Sequence, residues 1–296
     1  MTREALGQGL VLSSDGWIVT TQAVVSDAKR SYQIASADGA MHPVQMIVID
    51  PAVPVTYLKI EASNLSATAF AEFNSLAIGQ PVVIGAFSTQ SVNPAIYLRR
   101  LTHLSARIIN SRADVVASSD VIPDRYLFDQ PLPAGTLGAP VANLRGEIIG
   151  LVGEYGGEAR VIIPLDSLNS IIDMLFAKNE VHRASLGLSY LQSEWTELFL
   201  PADDKLGQGA TITSSAKRVA LSAKGAAALA GFKEGDRIIS IGSDRLGVRS
   251  LSSLLQQYRP GDRLEFLVER QGKEIKLLVT LGNAASKGIS LVSPKK

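Results

Sequence analysis

The chain has 296 residues, 46% apolar and 19% charged, with 29 Lys and Arg against 28 Asp and Glu for a formal net charge of +1. That length holds two or three domains with sizeable cores, and a near-neutral charge without basic or acidic blocks excludes nucleic acid as the main partner, because phosphate recognition needs clustered cations. The absence of cysteine excludes disulfides and thiolate metal sites and is compatible with an oxidising compartment; no apolar run reaches the ~18 residues that span a bilayer.

In chain order, Met1-Thr2-Arg3-Glu4 leads almost at once into a strand, with no signal-peptide pattern. Residues 8–13 and 17–20 flank Ser14-Asp15-Gly16, and an Asp-Gly turn between β-branched and aromatic runs predicts a β-hairpin. A second hairpin is predicted from Tyr32–Ser36, the turn Ala37-Asp38-Gly39 and Val44–Ile49, leading to Asp50-Pro51 and a strand ending at Leu58-Lys59-Ile60. Leu76 to Gly85 predicts a buried strand, Leu101–Arg112 a strand pair, and Asp114–Arg125 a mixed, surface-like connection. A Gly-rich turn, Gly135-Thr136-Leu137-Gly138-Ala139-Pro140, precedes the turn Leu144-Arg145-Gly146 and late strands at Glu147–Gly153 and Arg160–Pro164. A helix follows: Leu168, Ile171, Ile172, Leu175 and Phe176 fall at helical spacing, with Asp166 as N-cap.

After a polar joint at Lys178–His182 the pattern changes. Ser185-Leu186-Gly187-Leu188 opens a strand, and Ala230-Gly231-Phe232 and Gly235-Asp236 precede another at Ile238–Ile241. A helix at Ser250–Tyr258, the turn Pro260-Gly261-Asp262, a hairpin of Leu264–Arg270 with Glu274–Leu281 and a tail from Ala284 complete the chain.

These segments, in this order, resemble the HtrA/Deg-type serine proteases, which carry a trypsin-like domain followed by PDZ. The match covers about residues 5–283 and rests on the Asp15-Gly16 hairpin, Asp50-Pro51 with Leu58-Lys59-Ile60, Leu76 to Gly85, and Asp129, Gly135, Gly138, Pro140, Asn143, Gly146 and Gly150. The resemblance implies a mostly β chain: a trypsin-like double β-barrel over residues 1–179, an α+β PDZ domain over 184–283, and a tail over 284–296. Laid on the family pattern, the general-base histidine falls on Ala23, its orienting aspartate on Pro54 and the nucleophilic serine on Leu137. Alanine takes no proton and leucine has no lone pair, so this reading expects no enzyme but a pseudoprotease. The isolated His42, His103 and His182 offer no replacement base. The backbone N–H groups of Gly135 and Leu137 correspond to the family's oxyanion donors, able to bind a carbonyl without chemistry.

PDZ domains add a peptide as a strand and catch its carboxylate on backbone N–H groups of an apolar-Gly-apolar loop. By resemblance that loop is Ser185, Leu186, Gly187 and Leu188, with Leu251 and Leu255 across the groove. The expected function is protein and peptide binding, as scaffold, adaptor or regulator, with protein C-termini, a second copy or an active HtrA-type protease as partners. The expected location is the cell envelope or periplasm, with a membrane anchor upstream, and no metal or cofactor is expected. Two alternatives stay open: a holdase using the vacant cleft, and a hydrolase with a relocated site.

Overall fold

The computed structural model describes the chain apart from residues 1–4, 29, 37, 72–74, 88–93, 108–114, 134, 156–157, 194–207, 248 and 291–296. Residue 37 of the second expected hairpin, residue 134 before the Gly-rich turn, residues 108–112 of the expected strand pair and residues 291–296 of the expected tail therefore lie outside the described residues.

The first predicted hairpin forms: β1 (Leu10–Val11) pairs antiparallel with β2 (Trp17–Thr21), Leu10 opposite Val19. Gly16 turns it at φ +105, where a Cβ would lie 2.3 Å from Ile60 O, so a larger residue has no room. The second hairpin joins β3 (Gln33–Ala35) to β4 (Met41–Ile49), and β5 (Val55–Ile60) inserts between β2 and β4. Trp17, Val19 and Tyr57 are buried there with Leu165, Ile171 and Leu175.

The second half closes into a barrel, in the order β10-β11-β12-β9-β7-β6. Its strands are β6 (Pro81–Phe87), β7 (Pro94–Arg107), β9 (Asp124–Leu132), β10 (Pro140–Ala142), β11 (Ile148–Tyr155) and β12 (Glu158–Pro164), with β8 (Ala117–Ser118) set apart. Inward-facing Val82, Ile84, Tyr126, Phe128, Val141 and Val152 fill it. Where a strand pair was expected from Leu101, the structure has one long strand, β7, beginning at Pro94 and bonded to β6 on one side and β9 on the other. Its Arg99, Arg100 and His103 hide the alternation in the sequence.

The helix expected from Asp166 is a 3-10 turn, Leu168–Ser170, followed by a short helix, Ile172–Lys178. Asn179 at φ +57 ends it and donates its N–H to Leu175 O at 3.1 Å. Asp166 does not cap it; the carboxylate pairs instead with Arg249 Nη2 at 2.8 Å. Phe176 stacks on Trp17 at 6.2 Å, seating the helix on the first sheet.

The C-terminal unit is built on the order β19-β18-β16-β15-β14-β8. Its strands are β13 (Glu180–Ser185), β14 (Ser189–Gln192), β15 (Ala210–Ile212), β16 (Arg237–Ile241), β17 (Asp244–Arg245), β18 (Arg263–Arg270), β19 (Lys273–Thr280) and β20 (Gly282–Lys287), and β21 (Ile289–Ser290) follows. The β18–β19 hairpin turns through Gln271 at φ 52 and Gly272 at φ 75, the left-handed pair such a turn requires. Short helices at Ala226–Leu229 and Leu251–Leu255 flank the sheet.

Three segments differ from expectation. The polar joint at 178–182 is largely strand, because β13 pairs along its whole length with β20. Residues 284–290, expected as a tail, supply β20 and β21, and β21 pairs with β4 of the first sheet. Asn283, Ala284, Ala285 and Ser286 carry no apolar alternation, and main-chain pairing with β13, with the Asn283 amide on His182 Nδ1 at 3.0 Å, orders them. Over its described residues, 115–125, the expected surface connection is half core and more than a connection: Val115, Ala117, Ser119, Ile122 and Asp124 are buried while Val121 is exposed, and β8 is a strand of the C-terminal sheet.

Candidate functional site

Two of the three positions assigned to a catalytic triad meet. Ala23, just past β2, and Pro54, just before β5, line a cleft of about 170 Å³ with Thr21, Arg125, Glu154, Val161 and Ile163. Leu137 is not in that lining. Its side chain packs half-buried on the closed-barrel core, and its carbonyl accepts the Gln8 N–H at 2.8 Å. Gln8 fastens the same loop once more, donating from Nε2 to Gly135 O at 2.9 Å, and ties it to the end of β6 by donating to Phe87 O at 3.0 Å. Gly135 and Gly138 take φ +88 and +79. The Gly138 N–H donates to Val152 O at 2.9 Å, whereas among the described residues the Gly135 and Leu137 N–H groups have no acceptor.

No histidine stands in the cleft, and the carboxylate in its lining is Glu154. His42 bonds to Ser36 Oγ, His103 to Thr102 Oγ1 and His182 to Glu180 Oε2, and none is in the lining. Gln22, beside Ala23, turns its amide toward the carbonyls of Asp50, Val53 and Val55, and Thr136, beside Leu137, donates its hydroxyl to Pro133 O. The charged groups that sequence reasoning missed are Glu154 and Arg125; Arg125 is the buried one. Burial lowers its pKa to about 10, against the pull of Asp124, and its Nη1 donates to Ile122 O at 3.1 Å and Asp124 O at 2.7 Å. A guanidinium has no lone pair, so it can hold a carbonyl or carboxylate but cannot abstract a proton. We expect that any casein hydrolysis by this chain is unchanged in Leu137→Ala; a fall of about tenfold or more in a fluorescent-casein assay would place that position in the chemistry.

The second candidate site lies in the C-terminal unit. Leu186-Gly187-Leu188 turns the chain from β13 into β14, with Gly187 at φ +71. Leu186, Leu188, Leu251 and Leu255, expected as pocket walls, are buried core residues, at 0%, 3%, 0% and 0% exposure. The reason is that the short helix sits directly on the sheet, so one set of leucines closes the core. What the turn presents is polar. Leu186 and Gly187 donate their N–H groups to Asp120 Oδ1 at 2.9 and 3.1 Å, and Ser185 Oγ donates to Asp120 Oδ2 at 2.6 Å. The Leu188 N–H donates to Ser119 Oγ at 3.2 Å. Beside the turn, β8 pairs antiparallel with β14, Ser118 opposite Ser189 and Ala117 opposite Tyr190. On the far side Ser252 Oγ donates to Ser118 O at 2.8 Å, and the hydroxyls of Ser250 and Ser253 donate to Asp124 Oδ2. Asp120, Ser119 and Ser252 were not found from the sequence; their partners lie 62 to 134 residues away, and no local pattern marks them.

A buried ion pair joins the two sites. Arg183, on β13, reaches Asp50 at 2.6 Å with 1% and 0% side-chain exposure. Asp50 Oδ1 also accepts the N–H groups of Ala52 and Val53, the residues leading to Pro54, and Oδ2 accepts Tyr57 OH at 3.0 Å. Burial opposes the charge on Arg183, and the Asp50 carboxylate outweighs it, holding the guanidinium above its usual value. The Pro54 side of the cleft is therefore set by a strand of the C-terminal unit.

Residues 7–151 match the family model of the trypsin-like peptidase domain. The chain is 30% identical over 286 residues to a probable periplasmic serine endoprotease, DegP-like, of Bartonella henselae, covering 94% of this chain and 53% of that protein. It is 28% identical over 289 residues to the protein of the same description from Chlamydia muridarum, again covering 53% of it. The chain thus spans about half the length of these curated relatives. Among solved structures it is similar to the HtrA-type protease AlgW with decapeptide, at a TM-score of 0.64 and 20% identity over 94% of this chain and 83% of that one. These relatives correct one expectation: they are named serine endoproteases, which points to a protease and overturns the reading of the chain as a non-enzyme. What Ala23, Pro54 and Leu137 exclude is narrower, namely a Ser-His-Asp mechanism at those three positions.

Proposed function

We propose a polypeptide-binding role in the cell envelope for this chain, a homologue of the DegP/HtrA serine endoproteases with a trypsin-like peptidase domain over residues 7–151. In this reading the C-terminal unit is a PDZ domain that takes extended or C-terminal peptides, and the chain acts on other proteins as scaffold or adaptor. Its partner is a second copy or an active HtrA-type protease. Envelope placement is supported by the relatives' description as periplasmic. Proteolysis, the activity in their names, would have to draw on groups other than residues 23, 54 and 137.

The observation that carries the reading is the convergence of the Leu186, Gly187 and Leu188 N–H groups at one end of a β14–helix groove. Converging main-chain donors favour an anion, and the edge of β14 that accepts the two-residue strand β8 is one that can accept a peptide strand. The structurally similar AlgW is described with a decapeptide. The test is fluorescence anisotropy of the full chain with a random C-terminal peptide library, each member as free acid and as amide, up to millimolar protein. The expected result is binding that favours the free acid by about tenfold or more, since the donors lose a charged acceptor in the amide. Binding indifferent to the carboxylate would defeat the reading, as would no binding by wild type and by Asp120→Ala alike.

A further inference from the structure

The groove is not empty. Ala117 and Ser118 run along it as an antiparallel strand on β14, Ser119 follows in a turn and donates its N–H to Leu188 O at 2.9 Å, and Asp120 comes next. The segment is buried from both sides, with Ala117 at 6% and Ser119 at 0% exposure, between β14 and the Ser252 hydroxyl. At its end the chain turns, and the Asp120 carboxylate enters the Ser185–Leu188 loop.

We infer that residues 117–120 are the groove's resident ligand, an internal imitation of a chain terminus in which the Asp120 side chain supplies the carboxylate, so that a free peptide binds only in exchange for it. This rests on the peptide-binding reading above. Aspartate is suited to the part. Its carboxylate is one methylene from the backbone, which places an anion close to where a terminal carboxylate would lie, and here one oxygen takes two loop N–H groups while the other takes Ser185 Oγ. The neighbouring Ser119 hydroxyl satisfies the remaining loop donor, Leu188 N–H. The imitation therefore answers every donor of the loop, and an incoming peptide gains none that is not already paired.

A tethered ligand acts at a high effective concentration, on the order of millimolar for short tethers, so the apparent affinity for free peptide falls with the fraction of open groove.

The experiment compares wild type, Asp120→Asn and Asp120→Ala as full chains. The probes are the fluorescein-labelled pentapeptide Val-Val-Ala-Ser-Ser, which copies residues 115–119, and the random library, both as free acid and amide. Asp120→Ala should bind the free acids about tenfold or more tighter than wild type, with Asp120→Asn also above wild type and the amides weak throughout. Equal free-acid affinity in all three proteins would overturn the inference and leave the peptide-binding reading standing. No carboxylate-dependent binding in any of them would remove that reading and this inference together. Hydrogen exchange on wild type covers the case in which a variant fails to fold. Peptide at saturation should speed exchange at residues 117–120 while Leu186–Leu188 stay protected, and undiminished protection of 117–120 with peptide bound would overturn the inference.

Discussion

Replacing Arg183 by methionine should lower the unfolding free energy by about 3–5 kcal/mol and the melting temperature by roughly 10 °C or more. The Asp50–Arg183 pair is fully withdrawn from solvent. Methionine fills much of the same volume but leaves a buried carboxylate whose countercharge is gone. The N–H groups of Ala52 and Val53 and the hydroxyl of Tyr57 remain as donors, yet they are neutral. The guanidinium also ties down Ser167 O at 2.8 Å and Ser170 Oγ at 3.1 Å, so the turn before the closing helix loosens as well. Adding Asp50→Asn to Arg183→Met should recover part of the loss, because it removes the orphaned charge. Thermal unfolding of the two singles and the double measures this coupling. A loss near 1 kcal/mol for Arg183→Met, the scale of an exposed pair, would mean the pair is not sealed from water.

Gly138→Ala should cost on the order of 3 kcal/mol. Two effects add there. The residue sits at φ +79, and a Cβ would meet Gln8 O at 2.0 Å and Thr20 Oγ1 at 2.7 Å. The carbonyl is main chain and cannot turn away, and Thr20 Oγ1 already donates to it at 2.5 Å. The N-terminal segment must therefore lift off the loop. Gly39→Ala separates the two effects, since Gly39 has φ +84 but nothing within 4 Å of its Cβ position. That variant should lose only the left-handed penalty, about 1–2 kcal/mol. Urea midpoints of the two variants decide it, and equal losses would show that the contact with Gln8 has no cost.

The parts legible in the sequence are those where neighbouring residues carry the instruction. Asp15-Gly16, Asp38-Gly39 and Gln271-Gly272 each turn a hairpin because a left-handed residue stands between strand-forming runs, and all three glycines have positive φ. The late strands at 148–155 and 158–164 followed from apolar runs, and the closing helix from its spacing. The positions of Ala23, Pro54 and Leu137 came from the same frame. The sequence could not tell that Leu137 lies in the loop that Gln8 holds, packed on the closed-barrel core, while Ala23 and Pro54 share a cleft with Arg125.

What the sequence determined by itself is therefore the order of strands and turns, because dihedral preference and period-2 burial act between near neighbours. What only the tertiary structure decided is which distant groups satisfy one another. β8 is two residues long and has no stability of its own; it is a strand because β14 and Ser252 complete its hydrogen bonds. Asp120 and Asp50 look like ordinary surface carboxylates in the sequence. One closes the Ser185–Leu188 loop and the other lies sealed against Arg183, 133 residues away. Burying a polar group has a cost that only a specific partner offsets, and that partner is chosen by the fold rather than by any adjacent residue.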